Sequence, residues 1–409
     1  MKGAFLLFVL YVLLVSQAIC QNISMDSCFL KGKQAFEKGN FEKAIVAFNA
    51  SLKINPKSEE VLFFRAKANK EAGNTFYAIL DCDTLISLYP EDFRAFLLRG
   101  DLKSVMGFNE EAITDYTRAI EIDNTSYTAY FNRAVLYNIQ HKNFEALDDI
   151  NKCIEIAPGQ EAFYFAGFLQ FKLGYDAEAV QMFSKAIKKA PENTAKYYIA
   201  RAEAYTRMGQ YTDAIKDLDK VLKKDPRNAQ AFFKRAQAFR YSQNYSKALS
   251  DLNTAISIDK TDIAFFESRA KIFKLLGNKI LLMSDLKHIV GMEPGNLNGL
   301  YNLGVLYQEM NKWIEADSMF SAYLSLNPGN YKVFVARAEV KIKEAAFEKA
   351  VLDLDTAIEL NPSNGKFFYL RARCYKELKN IQAACEDLTT SYSLGYTKSA
   401  DLKLQICTQ

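Results

Sequence analysis

The sequence predicts an all-α chain of stacked helical hairpins, on three observations: one proline phase, two small-residue phases, and apolar residues at helical spacing between them. All eight prolines of the 409 residues fall on one phase of a period close to 34, at Pro56, Pro90, Pro158, Pro191, Pro226, Pro294, Pro328 and Pro362. Asn124, Lys260 and Tyr396 fill that phase where proline is missing, so the chain carries eleven repeats. With the proline phase numbered 32, phase 8 is Gly or Ala in every repeat, from Gly32 and Ala66 to Ala338 and Ala372. Phase 20 is alanine throughout, from Ala44 to Ala384, except at Leu282. Residues lacking all but a methyl group at two recurring phases mark where two helices touch.

In chain order, residues 1–20 read as a secretory signal peptide. Ala4 to Ala18 are almost wholly apolar, follow Lys2, and lead to Ala18, Ile19 and Cys20, with small side chains where a signal peptidase inspects the chain. The run is short of the roughly 20 residues that span a bilayer, so an uncleaved anchor is the weaker reading. Gln21 is then the expected mature N-terminus, and no later segment is expected to cross a membrane. Residues 21–396 hold the repeats. Sets such as Ala112, Tyr116 and Ala119, or Ala179, Phe183 and Ala186, form one apolar stripe per helix, which needs a neighbouring helix to cover it. The proline cannot continue the second helix and pushes the residue before it out of helical angles, which separates one hairpin from the next. Residues 397–409 are expected to form a closing helix.

This pattern resembles the tetratricopeptide repeat family, with small residues at phases 8, 20 and 27, an aromatic near 11 or 24, and proline at 32, matched from about Asp26 to Tyr396. The resemblance implies a right-handed α-solenoid superhelix whose first helices, at phases 2, 5, 9, 12 and 13, line a concave groove. Repeat 8 departs most, because Leu282 should force its helices apart. The closing stretch from Ala384 to Leu388, with Gly395, Tyr396 and Cys407, resembles the ends of exported bacterial members, favouring a periplasmic or secreted protein over the endoplasmic reticulum lumen. The sequons at Asn22, Asn49, Asn124 and Asn244 do not overturn this, and the Cys-Thr-Gln end lacks a retrieval signal.

Charge is nearly balanced, 52 Lys+Arg against 48 Asp+Glu, and intermixed, which gives no footprint for nucleic acid. The cysteines are too scattered for a metal motif or a disulfide framework. Cys82 and Cys153 sit at core phases and read as small apolar fillers. Cys374, Cys385 and Cys407 lie in the last repeat and closing helix, where an oxidising compartment favours a bond, with Cys385–Cys407 the preferred pair.

Arginine occupies phase 7 in eight repeats: Arg65, Arg99, Arg133, Arg201, Arg235, Arg269, Arg337 and Arg371. Aspartate occupies phase 23 in those same eight: Asp81, Asp115, Asp149, Asp217, Asp251, Asp285, Asp353 and Asp387. Repeats 1, 5 and 9 lack both. Phase 23 faces the other helix, so a carboxylate there needs a partner, and the pattern predicts structural ion pairs within or between adjacent repeats. The alternative is an arginine row aimed at an anionic ligand.

A partner-binding groove is expected on the first helices. Repeat 5 places Phe163, Tyr164, Phe165, Phe168 and Phe171 on one helix, so some rings should face outward. Phe168 and Phe171, with Phe131, Val135, Ile139 and Tyr164, would form an apolar patch, followed by a polar and basic stretch through Glu203, Arg207, Gln237, Arg240, Lys271 and Lys274. A peptide with an apolar segment followed by an acidic one would suit it. Neither the carboxylate clamp nor the asparagine ladder found in other members of the family is present, since only Asn132 and Asn302 stand at the ladder phase. Two histidines, His141 and His288, and no phosphate loop or nucleophile elbow argue against an enzyme, a metal, a cofactor or a small-molecule substrate. The sequence therefore reads as an exported, non-enzymatic scaffold or adaptor binding a peptide or protein segment, with a periplasmic or luminal chaperone that holds unfolded segments as the alternative.

Overall fold

The computed structural model describes residues 25–190 and 195–407; the segment read as a signal peptide and Gln21 lie outside the described residues. Those residues hold 23 helices and no strand. First helices begin at phase 1 and second helices at phase 17 in every repeat, from Met25–Glu37 and Phe41–Ile54 to Gly365–Glu377 and Ile381–Ser393, and Ser399–Ile406 closes the chain. The chain divides into two compact units, Met1–Met208 and Gly209–Gln409. The first ends with the first helix of repeat 6; the second holds the remaining helices.

The turn inside each hairpin is set by one residue. Phase 15 has a left-handed backbone in all eleven repeats: Gly39, Gly73, Gly107, Gly174, Gly209 and Gly277, and also His141, Gln243, Asn311, Ala345 and Lys379. The next N–H then donates back to phase 11, as in Asn40 to Ala35 at 2.9 Å and Asn244 to Phe239 at 2.8 Å, which closes the helix end. At the other end of the repeat the residue before the proline is extended, at Asn55 and Ala157 for example.

Within a hairpin the closest approach joins phase 8 to phase 24. A Cβ added to Gly100 would lie 2.7 Å from Cε1 of Tyr116; at Gly167 it would lie 2.8 Å from the Phe183 ring, at Gly304 2.7 Å from Phe320, and at Gly32 it would overlap the Phe48 ring. Phase 24 is aromatic in these four repeats only. Where it is Cys82, Ile150, Leu218, Leu252, Leu286, Leu354 or Leu388, phase 8 is alanine. The size of the ring thus dictates whether the first helix can carry a methyl group.

Cys385 and Cys407 form a disulfide with Cα atoms 5.8 Å apart, tying the second helix of repeat 11 to the end of the closing helix. Cys28, Cys82, Cys153 and Cys374 are buried free thiols. Burial pushes the Cys153 thiol up to about 12 and the Cys374 thiol up to about 11.

Gly100→Ala should cost about 1–3 kcal/mol through overpacking, and Tyr116→Leu in the same chain should recover part of that loss, as read by denaturant unfolding of the single and double variants. Alkylation of the native chain at pH 8 should spare Cys28, Cys82, Cys153 and Cys374, and unfolding without reductant should expose those four while Cys385 and Cys407 stay unmodified. Labelling of either of the latter before reduction would contradict the bond.

Candidate functional site

Each pairing arginine is a three-way clip. Arg99 donates from Nε to Asp115 at 2.9 Å and from Nη2 at 2.6 Å, a two-pronged bond within the repeat, while its Nη1 donates at 2.7 Å to Asp83 of the repeat before. The same bidentate pairing joins Arg65 to Asp81, Arg133 to Asp149, Arg235 to Asp251, Arg269 to Asp285, Arg337 to Asp353 and Arg371 to Asp387. Arg201 and Asp217 fall in different units. The third prong always finds phase 25 of the preceding repeat: Asn49, Thr117, Ser184, Asp219, Asn253, Ser321 or Asp355. Burial lifts Asp81 and Asp149 above the usual carboxylate value, with Arg65 and Arg133 pulling each back. Hydrogen bonding to Asp251 holds the Arg235 guanidinium above its ordinary value, against burial. With both valences committed, these arginines are fasteners and do not form a row aimed at a ligand.

The aromatic helix of repeat 5, Gln160–Leu173, turns its rings inward. Phe163 is buried, and Tyr164, Phe165, Phe168 and Phe171 are half-buried, so the four rings that the crowding leaves over reach solvent only in part. Other rings of the same and adjoining repeats cover them in part: Phe165 lies 5.7 Å from Phe131 and 6.2 Å from Phe168, while Tyr164 sits 5.8 Å from Phe183 and 5.3 Å from Tyr197. Val135 is also half-buried, and only Ile139 of the expected patch is exposed. The Arg207 guanidinium stacks 3.6 Å over Phe171 and donates from Nε to both Asp176 oxygens at 2.7 Å, so its charge is already answered.

The second unit differs. Arg240 lies 4.1 Å over the Tyr241 ring, and no carboxylate among the described residues pairs with Arg240, Lys271 or Lys274. Lys271 and Lys274 stand at the mouth of a cavity of about 560 Å³ between repeats 8 and 9. Its apolar wall is Leu282, Leu286, Ile289, Val305 and Leu306, and its rim carries Glu267, Asn298 and Asn302. A Lys279–Glu309 ion pair at 3.1 Å crosses one edge. The departure at Leu282 therefore coincides with an opening in the stack.

His141 occupies a left-handed turn and His288 packs 4.1 Å from Phe266, each in a separate unit. No group of three metal-ligating side chains occurs among the described residues, and none of their helices is long and apolar enough to cross a membrane.

The Tetratricopeptide repeat family models match residues 26–58 and 199–263. The same helix boundaries and contacts recur in the repeats outside those two spans. The chain carries tetratricopeptide repeats. No curated protein matches it. Among solved structures it is similar to YrrB, a tetratricopeptide repeat protein with an unusual peptide-binding site, at 24% identity over 46% of this chain and 97% of that one, with a TM-score of 0.42. A tetratricopeptide repeat protein from Parabacteroides merdae gives 20% identity over 61% and 98%, TM-score 0.43, and yeast Tom70 gives 15% over 94% and 94%, TM-score 0.41. Overall similarity at this level carries no functional argument. In this tetratricopeptide array the phase-25 acceptors are the contacts that periodicity alone did not bring out, yet the sequence holds their signal. Phase 25 is Asn, Asp, Ser or Thr in ten repeats, and the exception, Lys287, precedes the repeat whose phase 7 is Leu303.

Arg235→Ala should cost about 3–5 kcal/mol, because it strands the buried Asp251 carboxylate, and it should destabilise more than Arg235→Ala combined with Asp251→Ala. Equal or smaller loss in the single variant, measured by urea unfolding, would refute the pairing.

Proposed function

We propose that this protein is a non-enzymatic scaffold or adaptor that binds a segment of another protein on the face formed by its first helices. The observation that carries this reading is the unanswered charge of Lys271 and Lys274 beside an apolar cavity on first-helix phases. On first helices of the other unit charges are matched in place, as with Arg207 and Asp176, or with Asp101, which takes bonds from Lys70, Tyr116 and Asn132 at 3.0, 2.9 and 2.9 Å. Two cations without a carboxylate partner beside an apolar wall suit an acidic segment of a partner, and the wall supplies the area that binding buries. Export to a periplasmic or extracellular space belongs to the same proposal. The apolar leader and the Cys385–Cys407 bond support it, since such bonds persist in oxidising compartments.

Crosslinking mass spectrometry on the full-length chain in its own cells, comparing wild type with Lys271→Glu plus Lys274→Glu, tests the reading. Both lysines are exposed, so the melting temperature should hold while one dominant crosslinked partner is lost. Many weak partners, indifferent to the substitution, would instead indicate a holdase for unfolded segments and overturn the scaffold.

A further inference from the structure

Phase 5 of the first helix has a fixed seat. Its side chain packs between phase 24 of its own repeat and phase 3 of the next. Tyr164 fills this seat between Phe183 and Tyr197, at 5.8 and 5.3 Å. Phe29 lies 6.0 Å from Phe48, Tyr301 lies 6.2 Å from Phe320, and Phe233 lies 5.0 Å from Phe265. Where the residue is aliphatic the seat is still filled: Leu97 packs with Tyr116, and Val335 with Leu354 and Phe367.

Repeat 8 breaks this rule. Phase 5 is Glu267, a carboxylate in place of an apolar side chain. Phase 3 of the following repeat is Gly299, where Val290 and Ile289 take up the space of the missing side chain, 3.1 and 3.2 Å from where its Cβ would lie. The floor of the seat is intact, because Leu286 stands at phase 24 and is buried. Glu267, Leu286 and Gly299 all line the cavity of about 560 Å³. That volume lies within the roughly 300–1,000 Å³ of sites that hold ligands. The cavity is thus the vacated place of a side chain that nearly every other repeat supplies for itself.

The geometry points to an aromatic side chain of a partner polypeptide as the occupant, completing in trans the stack that Glu267 leaves open, with an acidic residue beside it answered by Lys271 and Lys274. This rests on the protein-binding reading above and names the anchor it would use. The rings at the other seats show which shape the walls accept, and an inserted ring buries about 150–250 Å². The mouth fixes the second feature. Lys279 and Glu309 neutralise each other, leaving Lys271 and Lys274 against the lone carboxylate of Glu267, an excess of positive charge at the rim. A peptide backbone at that rim would meet the side chains of Asn298 and Asn302.

The test fills the seat in cis. A short acetylated peptide carrying 4-fluorophenylalanine followed by two aspartates is titrated with the full-length chain and followed by fluorine NMR. The wild type should shift the fluorine line saturably. Glu267→Phe, which supplies the missing ring, should weaken this at least about tenfold while raising the melting temperature. Should Glu267→Phe fail to fold, Glu267→Leu gives the side chain that Leu97 uses at the same phase and should also exclude the peptide. Lys271→Ala with Lys274→Ala should weaken the aspartate peptide several-fold and leave its asparagine counterpart unchanged. Binding that survives both Glu267 variants, or a wild type that does not bind the peptide, overturns the anchor. A cellular partner lost on lysine reversal but kept by Glu267→Phe would separate that failure from failure of the scaffold reading.

Discussion

The array depends on how closely two helices of one hairpin can approach. A second-helix side chain at phase 24 projects onto the first helix at phase 8, and the sum of the two is held nearly constant: glycine under a ring, alanine under an aliphatic side chain or a thiol. Interiors are packed densely enough that one methyl group decides such a contact. Once that distance is fixed, the left-handed turn residue can close the hairpin, the phase-7 guanidinium reaches the phase-23 carboxylate, and the outer faces of successive hairpins meet at a regular interval. The other recurring contacts all presuppose it.

Arginine adds what apolar packing cannot, which is direction. An apolar stripe tolerates small slips along the helix, whereas a fork that must meet two carboxylate oxygens in its own repeat and one acceptor in the neighbouring repeat does not. Buried ion pairs give little net stability over apolar replacements, so register is the better account of why the arrangement recurs.

Periodicity made the architecture legible. Helix starts at phases 1 and 17, the small-residue contacts and the partners of the phase-23 aspartates all follow from residues that repeat in step. The surface was less legible, for a physical reason. How far a ring on the first helix is covered is decided off that helix: Phe165 of Gln160–Leu173 meets Phe131, and Tyr164 meets Phe183 and Tyr197, none of which lies on it. Likewise Arg207 reads as a free cation until the fold brings Asp176 to it. In repeat 8, Leu282 pointed to a repeat that does line a cavity, but the carboxylate of Glu267 had to be set against the filled seats elsewhere before that opening stood out.

The junction between repeats 8 and 9 also lacks the inter-repeat clip, since Leu303 stands where an arginine would reach back and Lys287 where an acceptor would receive it. In a stack where each repeat touches only its neighbours, stability is close to a sum of terms for each repeat and each junction. A junction missing the fork and the ring is expected to be a weak link of its unit. Cooperativity is expected to break there, so that repeats 9 to 11, held at their far end by a covalent bond, melt as a block distinct from repeats 7 and 8. The same gap would then also mark where one folding domain, in the thermodynamic sense, gives way to the next.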